Sequence, residues 1–265
     1  MIRVEVILDS IHPVYETRLT TMLLEYPRFI HSQFMTHRVF SRNAASSRAI
    51  PVKKMVERIR KNPAMPLHWG MNQRGMQARD EIDDEKKATA KQVWLELLDH
   101  AMRCAERLDQ LGVHKQVINR VLEPWAHIQV VVTATEWDNF FDLRLHDDAQ
   151  PEIQELARQM KRAMDESTPA KRMWHIPFVR PEEERLPIDT RLAISVARCA
   201  RTSYYYHDGG FSKPEQDMEL YERLYTAGHW SPFEHQAEAG AHMWYNNFRH
   251  WRQWRYTLQK KKGEA

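Results

Sequence analysis

The run Val130-Val131-Val132, inside Ile128 to Ala134, most constrains what this chain can fold into. Successive β-branched residues are stiff and suit a packed, pleated surface better than a helix. Ile128 to Ala134 therefore reads as a buried strand. Ile2 to Leu8 alternates apolar and charged residues and reads as a second strand. Leu19 to Phe34 is mixed and adds more strand. Helical patterns outnumber these strands. Val52 to Lys61 is a short amphipathic helix closed by Asn62-Pro63. Trp94, Leu97, Leu98, Ala101, Cys104, Ala105, Leu108 and Leu111 keep helical spacing, and Gly112 stands where a C-terminal cap belongs. Val113 to Leu122, Pro151 to Ser167, Leu192 to Tyr204 and Glu215 to Ala227 are further helices. Thr135-Glu136-Trp137-Asp138 fits a capping box that opens another. Ser41 to Ile50 is polar and reads as a helix stopped by Pro51. Met65 to Asp84, with Gly70 and Gly75, reads as a loop. Strict β-α-β alternation is missing, which excludes a doubly wound sheet. The expected class is α+β, helix-rich with a mixed or antiparallel sheet, in a single domain over residues 1–265.

Composition narrows the function classes. Aromatics at 10% and hydrophobics at 42%, spread along the chain, exclude disorder. No apolar run is long enough to span a membrane. The charged start Met1-Ile2-Arg3-Val4-Glu5-Val6 is no signal peptide, and Cys104 and Cys199 cannot make a disulfide framework. These features point to a cytoplasmic chain, and both cysteines read as buried structural thiols. Glycine-rich phosphate loops and dinucleotide fingerprints are absent. His229 and His235 are a poor metal frame, so no metal is expected.

Net charge is only +3, but it is unevenly placed. Arg38, Arg42, Arg48, Lys53, Lys54, Arg58, Arg60 and Lys61 face a single acid, Glu57, and a second basic run spans Arg249 to Lys262. Such fields attract phosphate-bearing partners, or they are solvated faces. A nucleic-acid binder is one alternative; it would bind with salt-sensitive affinity and hold no cofactor. Near-balanced charge and the lack of a known binding module weigh against it.

Two stretches carry chemistry. Thr36 to Arg48 holds Arg38 and Arg48 with His37, Ser41, Asn43, Ser46 and Ser47 between them, and no acid. Hydroxyls, backbone N–H groups and forked guanidinium groups suit a phosphate; the alternative is an exposed polar helix. After Thr135, Trp137, Phe140, Phe141 and Arg144 share one helical stripe. A cation on an apolar stripe needs a partner, either an internal carboxylate or an oxygen of a ligand.

Four motifs together resemble the flavin-dependent thymidylate synthases. That family carries Arg-His-Arg, seven residues, then Ser, with a Gln before and an Arg after; Gln33, His37, Arg38, Ser46 and Arg48 occupy those places. Gly228-His229-Trp230-Ser231-Pro232-Phe233-Glu234-His235 matches a second element. Ala200-Arg201-Thr202-Ser203-Tyr204 resembles a third. Asn139-Phe140-Phe141-Asp142-Leu143-Arg144, followed by Ala149-Gln150-Pro151-Glu152-Ile153, matches a fourth. The second element precedes the first in the family and follows everything else here. The motif order thus looks circularly permuted, which is feasible when ancestral termini lie close together. It predicts that Ser231 to His235 folds back beside His37 and Arg38, within one chain or across a subunit boundary.

The resemblance implies a flavin-dependent thymidylate synthase-like fold and C5-methylation of dUMP to dTMP. FAD would carry hydride from NADPH, and methylenetetrahydrofolate would supply carbon. His37, Arg38, Asn139 and Ser231 would contact the flavin, with Thr133 and Thr135 aligned to two more flavin positions. Ser46, Ser47 and Arg48 would cradle the phosphate, with Gln33 and Arg120 also on the nucleotide. Arg144 would face the pyrimidine near N3 and O4 and act in catalysis by favouring the ionised ring. A homotetramer with sites built from several subunits is implied, without membrane or nucleic-acid partners. Thr36 in place of the first Arg, and Ala44 in place of a Glu, depart from the family pattern. Such changes leave dCMP or UMP as alternative substrates, and a hydroxymethyl group as an alternative product.

Overall fold

In the computed structural model, residues 1–202 and 212–263 are described. The expected strand is there as β4 (His127–Ala134), one in from the edge of a five-stranded sheet. Its partners are β1 (Arg3–Ile11), β2 (Arg18–Pro27), β3 (Ser41–Ala44) and the short β5 (Ala170–Lys171), in the order β3-β4-β2-β1-β5. All pairs are antiparallel except β1 with β5. The fold is α+β, as expected.

Alternation along β2 and β4 gives the sheet two different faces. Met22 pairs with Val132, Leu24 with Val130 and Tyr26 with Ile128, all on the first face. Helix α6 (Pro151–Glu166) covers that face with Ile153, Leu156, Ala157 and Met160. Helix α1 (His31–Met35) and helix α5 (Asp138–Arg144) add Phe34, Phe140 and Phe141. Leu19, Leu23 and Val131 point the other way, against Trp251, Phe178 and Cys199 from the C-terminal third. That third holds α7 (Ile188–Ala200), α8 (Pro214–Thr226), α9 (Trp254–Lys262) and a small sheet, β6 (Trp174–His175), β7 (Ala237–Tyr245) and β8 (Phe248–Gln253). Both faces are therefore dry, which explains the unbroken valine run.

The second face also buries a polar chain. Ser10 Oγ lies 2.8 Å from His175 Nδ1, and His175 Nε2 lies 2.7 Å from Thr21 Oγ1. Thr21 and Thr133 hydroxyls are 2.7 Å apart, and Thr133 Oγ1 is 2.9 Å from His235 Nδ1. Burial holds His175 and His235 neutral, each pushed down to about 3. In the unfolded chain both return to about 6.5. Between those values the unfolded state binds more protons, so stability falls as pH drops below about 6.5. Each histidine costs about 1.4 kcal/mol per pH unit there. Urea midpoints measured from pH 7 to 4.5 are expected to fall steadily; a flat profile would refute the buried-neutral assignment.

Several local expectations need correction. Ser41 to Ile50 is not helical: it is β3 followed by a turn in which Ala49 N–H donates to Ser46 O and Ile50 N–H to Ser47 O. Pairing with β4 outweighs the Ala and Ser content. Thr135 does not cap α5, whose N-cap is Trp137 without a side-chain bond. Its hydroxyl instead accepts from Arg249 N–H at 3.1 Å. The long helix is α3 (Asp84–Gln110), ended by Gly112 at φ +75°, and with α2 (Val52–Lys61) and α4 (Lys115–Val121) it forms a second core. Leu97 and Leu111 of its stripe are nevertheless exposed, and Cys104 is only half-buried. Cys199 is fully buried, as expected. The hairpin β7–β8, the short β6 and α9 were not expected, although Tyr245-Asn246-Asn247-Phe248 carries a two-residue turn signal and Asn246 adopts φ +55°. Ser203 and Tyr204 of the third motif lie outside the described residues. Among those described, no helix is long and apolar enough to cross a membrane.

Candidate active site

Helix α1 is short because its C-terminal carbonyls are taken by a side chain. Arg42 donates to Met35 O at 2.9 Å, His37 O at 3.1 Å and Phe34 O at 3.4 Å. A guanidinium there satisfies carbonyls that the helix cannot. The turn this fixes drives His37 into an aromatic slot. Its ring sits edge-to-face on Phe140 at 4.9 Å and stacks near Phe40 at 5.9 Å. Burial, then the charges of Arg144 and Arg42, depress the His37 pKa to about 4. The ring is neutral at physiological pH, and its Nε2 lone pair accepts Arg144 Nε–H at 2.9 Å.

Arg144 ends α5, where a cation complements the helix dipole. Its Nη2 reaches Thr36 Oγ1 at 3.2 Å and Gln33 O at 3.5 Å. The Thr36 hydroxyl in turn donates to Gln33 O at 2.7 Å. Burial lowers the Arg144 pKa, and no carboxylate ion-pairs with it among the described residues. Of the two partners expected for it, the internal carboxylate is excluded. A half-buried guanidinium with only neutral partners keeps its charge and its affinity for an oxygen or an anion.

Arg144 opens onto a cleft of about 1070 Å³ that Gln33, Gln150 and Glu152 also line. The opposite wall comes from the loop whose role the sequence left open: Pro66, His68, Gly70 and Met76 to Arg79, backed by Trp94. The loop is tied rather than slack. Glu81 accepts Trp69 N–H at 3.0 Å and pairs with Lys87, while His68 Nε2 sits 2.7 Å from Ala78 O. A Cβ on Gly70 would stand 2.2 Å from Ala78 Cβ, so only glycine fits this close approach. These wall residues were missed, since Met65 to Asp84 has no periodicity; Gly70 and Gly75 were the sole signal.

Other expected site residues fall into separate groups. Ser47 Oγ donates to Glu123 Oε1 at 3.0 Å, and Arg120 and Arg28 reach the same oxygen at 2.7 and 3.0 Å. Ser46 and Arg48 flank this group and are exposed. None of Ser46, Ser47, Arg48 or Arg120 lines the Arg144 cleft. Ser231 Oγ donates to Asn43 Oδ1 at 3.1 Å. The Ser231–His235 segment thus docks within one chain on β3, the strand that begins three residues after Arg38. Arg38 and Asn139 are exposed, Thr135 is half-buried, and Thr133 is fully buried with its hydroxyl spent on Thr21 and His235.

Comparison with known proteins gives one family and two solved structures. The family described as thymidylate synthase complementing protein matches residues 6–170, well over half of the chain. A UMP/dUMP methylase, PolB from Streptomyces cacaoi bound with 5-Br dUMP, shares the fold at TM-score 0.52 and 17% identity, over 62% of this chain and 90% of that one. The same protein bound with 5-Br UMP gives TM-score 0.50 and 17% identity, over 62% and 88%. No curated protein matches this sequence. The motif resemblance and the fold agree with the family match: the chain belongs to the thymidylate synthase complementing protein family and is an enzyme of the methyltransferase type.

Proposed function

We propose that this chain methylates a pyrimidine nucleotide at C5, with dUMP as substrate and dTMP as product. The observation that carries this reading is Arg144, a half-buried cation with neutral partners opening onto a cleft. C5 of uracil becomes nucleophilic as negative charge builds on N3 and O4. A fixed guanidinium there stabilises that charge more in the transition state than in the ground state. Neutral His37 holds Arg144 Nε without cancelling its charge. Ser46, Ser47, Arg48 and Arg120 take the phosphate in this reading. Ser47, Arg120 and Arg28 already converge on one carboxylate oxygen, a donor set that also suits a phosphate oxygen. In this reading the protein is a homotetramer, and a neighbouring subunit supplies the phosphate group's residues to the Arg144 cleft.

Arg38, Asn139 and Ser231 have the chemistry to hold FAD: an exposed guanidinium for the pyrophosphate, and an amide and a hydroxyl for ring edges. Thr133 does not fit that role, because its hydroxyl is buried and already paired. Bound FAD would pass hydride from NADPH to the one-carbon unit donated by methylenetetrahydrofolate. A second reading keeps this chemistry and changes the nucleotide to UMP or dCMP, or the product to a hydroxymethyl pyrimidine. Thr36 favours it, since a hydroxyl bonded to Arg144 replaces the guanidinium of the family signature. The test is to incubate protein, FAD, NADPH and methylenetetrahydrofolate with dUMP, UMP and dCMP separately and weigh the products. Methylated dUMP is expected. Modification of UMP or dCMP alone would replace the first reading with the second, and no modification of any would overturn both.

A further inference from the structure

The donors proposed to take the phosphate meet on a group of the chain itself. Glu123 Oε1 accepts Ser47 Oγ–H at 3.0 Å and Arg120 Nη1–H at 2.7 Å, and Arg28 Nη2 ion-pairs with the same oxygen at 3.0 Å. These donors are fixed from behind. Asn119, 1% exposed, donates to Ser47 O at 2.7 Å and to Ile50 O at 2.9 Å, and Lys115 Nζ donates to Ala49 O at 3.1 Å. Both side chains belong to α4, as does Arg120, so the turn that carries Ser47 is pinned to the helix that carries Arg120. Arg28 is placed by its own N–H, which donates to Ala126 O at 2.9 Å, three residues after Glu123. The carboxylate is the displaceable member. It leaves 24% of its side chain in solvent, and rotation about side-chain torsions alone can carry it into water.

We infer that Glu123 is an internal occupant of the phosphate position, that Arg28 is a further phosphate ligand, and that a nucleotide enters by exchanging its phosphate for this carboxylate. Two guanidinium groups share one carboxylate, so cationic charge remains uncancelled in the closed arrangement. A phosphate monoester brings about two negative charges and three acceptor oxygens, and can serve all three donors with the charges balanced. The exchange costs affinity for every anion, because a ligand binds only the fraction of molecules whose carboxylate has turned away. Small monoanions of the solution gain least from the two guanidinium groups, and this cost keeps them out. The inference rests on the reading of Ser47 and Arg120 as phosphate ligands.

The test uses methyl phosphate, a monoester without a base, titrated calorimetrically into the full chain. Glu123→Gln keeps an acceptor oxygen and removes the rival charge, and is expected to bind methyl phosphate at least about tenfold tighter than wild type. Glu57→Gln removes the single acid of the neighbouring basic run and should change that affinity by less than about twofold. Arg28→Met in the Glu123→Gln background should lose about tenfold or more. Thermal unfolding supplies a readout that an ordinary ion pair does not move. In chloride, Glu123→Gln should melt below wild type, since the guanidinium groups have lost their shared anion, and methyl phosphate should restore most of that loss. Glu123→Asp withdraws the charge by one methylene and should bind methyl phosphate about threefold tighter than wild type. No gain there overturns the inference even if Glu123→Gln fails to fold. A Glu123→Gln gain no larger than that of Glu57→Gln overturns it too, because net charge then accounts for the gain. So does a melting loss that methyl phosphate does not restore. These outcomes leave the phosphate reading standing as long as Arg120→Met weakens dUMP binding. Unchanged dUMP binding in Arg120→Met removes the phosphate reading and this inference with it.

Discussion

Replacing Arg144 with glutamine is expected to lower kcat/KM for the nucleotide by about 100-fold or more, roughly 3 kcal/mol of transition-state stabilisation. The fold should tolerate the change. Arg144 is half-buried with no carboxylate partner, so its removal strands no opposite charge and relieves a desolvation cost. Glutamine can still donate towards His37 Nε2, which keeps the aromatic slot around His37 closed. Loss of activity with an unchanged melting temperature separates a catalytic role from a structural one. Arg144→Lys should recover only part of the rate, because a point charge cannot reach His37, Thr36 and a ring oxygen at once. A Gln variant within threefold of wild type, or a loss that tracks a drop in melting temperature, would remove Arg144 from the mechanism.

The second large effect is on stability, far from the cleft. Arg198 of α7 is 97% buried with Glu183 and Asp217, and its guanidinium binds both carboxylates at 2.6 and 3.1 Å. It also donates to Phe178 O at 2.7 Å, which links α7 to the loop packed on the second sheet face. Arg198→Met keeps most of the volume but removes the guanidinium shared by two buried carboxylates, leaving Glu183 with Arg180 and Asp217 with the more distant Arg201. The expected cost is about 3–5 kcal/mol at pH 7, read from urea unfolding. Burial opposes the charge on Glu183, but hydrogen bonds from Arg198 and Arg180 outweigh it and hold the carboxyl at about 2, below its ordinary 4.5. In wild type that group stabilises the fold above about 4.5 and loses its contribution as pH falls through 2. Without Arg198 only Arg180 still opposes the burial of Glu183, so the carboxyl titrates higher than in wild type and protonation relieves part of the cost. The gap between variant and wild type should therefore narrow as pH falls from 7 to 5. A gap that is constant or widens would mean the guanidinium contributes by packing alone.

Much of the site was legible before its geometry was known, because its parts are periodic or spaced. The stripe of Trp137, Phe140, Phe141 and Arg144 follows from helical spacing, and the three aromatics are buried as that spacing requires. What the stripe could not reveal was the partner of Arg144. His37 is 107 residues away, and only Arg42 capping α1 turns it inwards. Ser41 to Ile50 shows the opposite limit. Its composition reads as helix, but the unpaired edge of β4 takes it as a strand. Local propensity is worth tenths of a kcal/mol per residue and yields to a full ladder of tertiary hydrogen bonds.

The valine run marks the same division. By itself the sequence determined that Ile128 to Ala134 is a strand, that helices outnumber strands, and which motifs the chain carries. These are short-range properties, set by side-chain branching and by periodicity along the backbone. Only the tertiary structure decided what covers each face of that strand. Val130 and Val132 meet the α5–α6 face, Val131 meets Phe178 and Cys199, and Thr133 joins a chain of hydroxyls and imidazoles drawn from four distant segments. The same holds for Glu152, whose carboxylate accepts Leu67 N–H from 85 residues away in sequence and, through Gln150, connects to Gln33. Hydrogen-bond polarity passes through space from acceptor to donor, and no pattern along the chain records it.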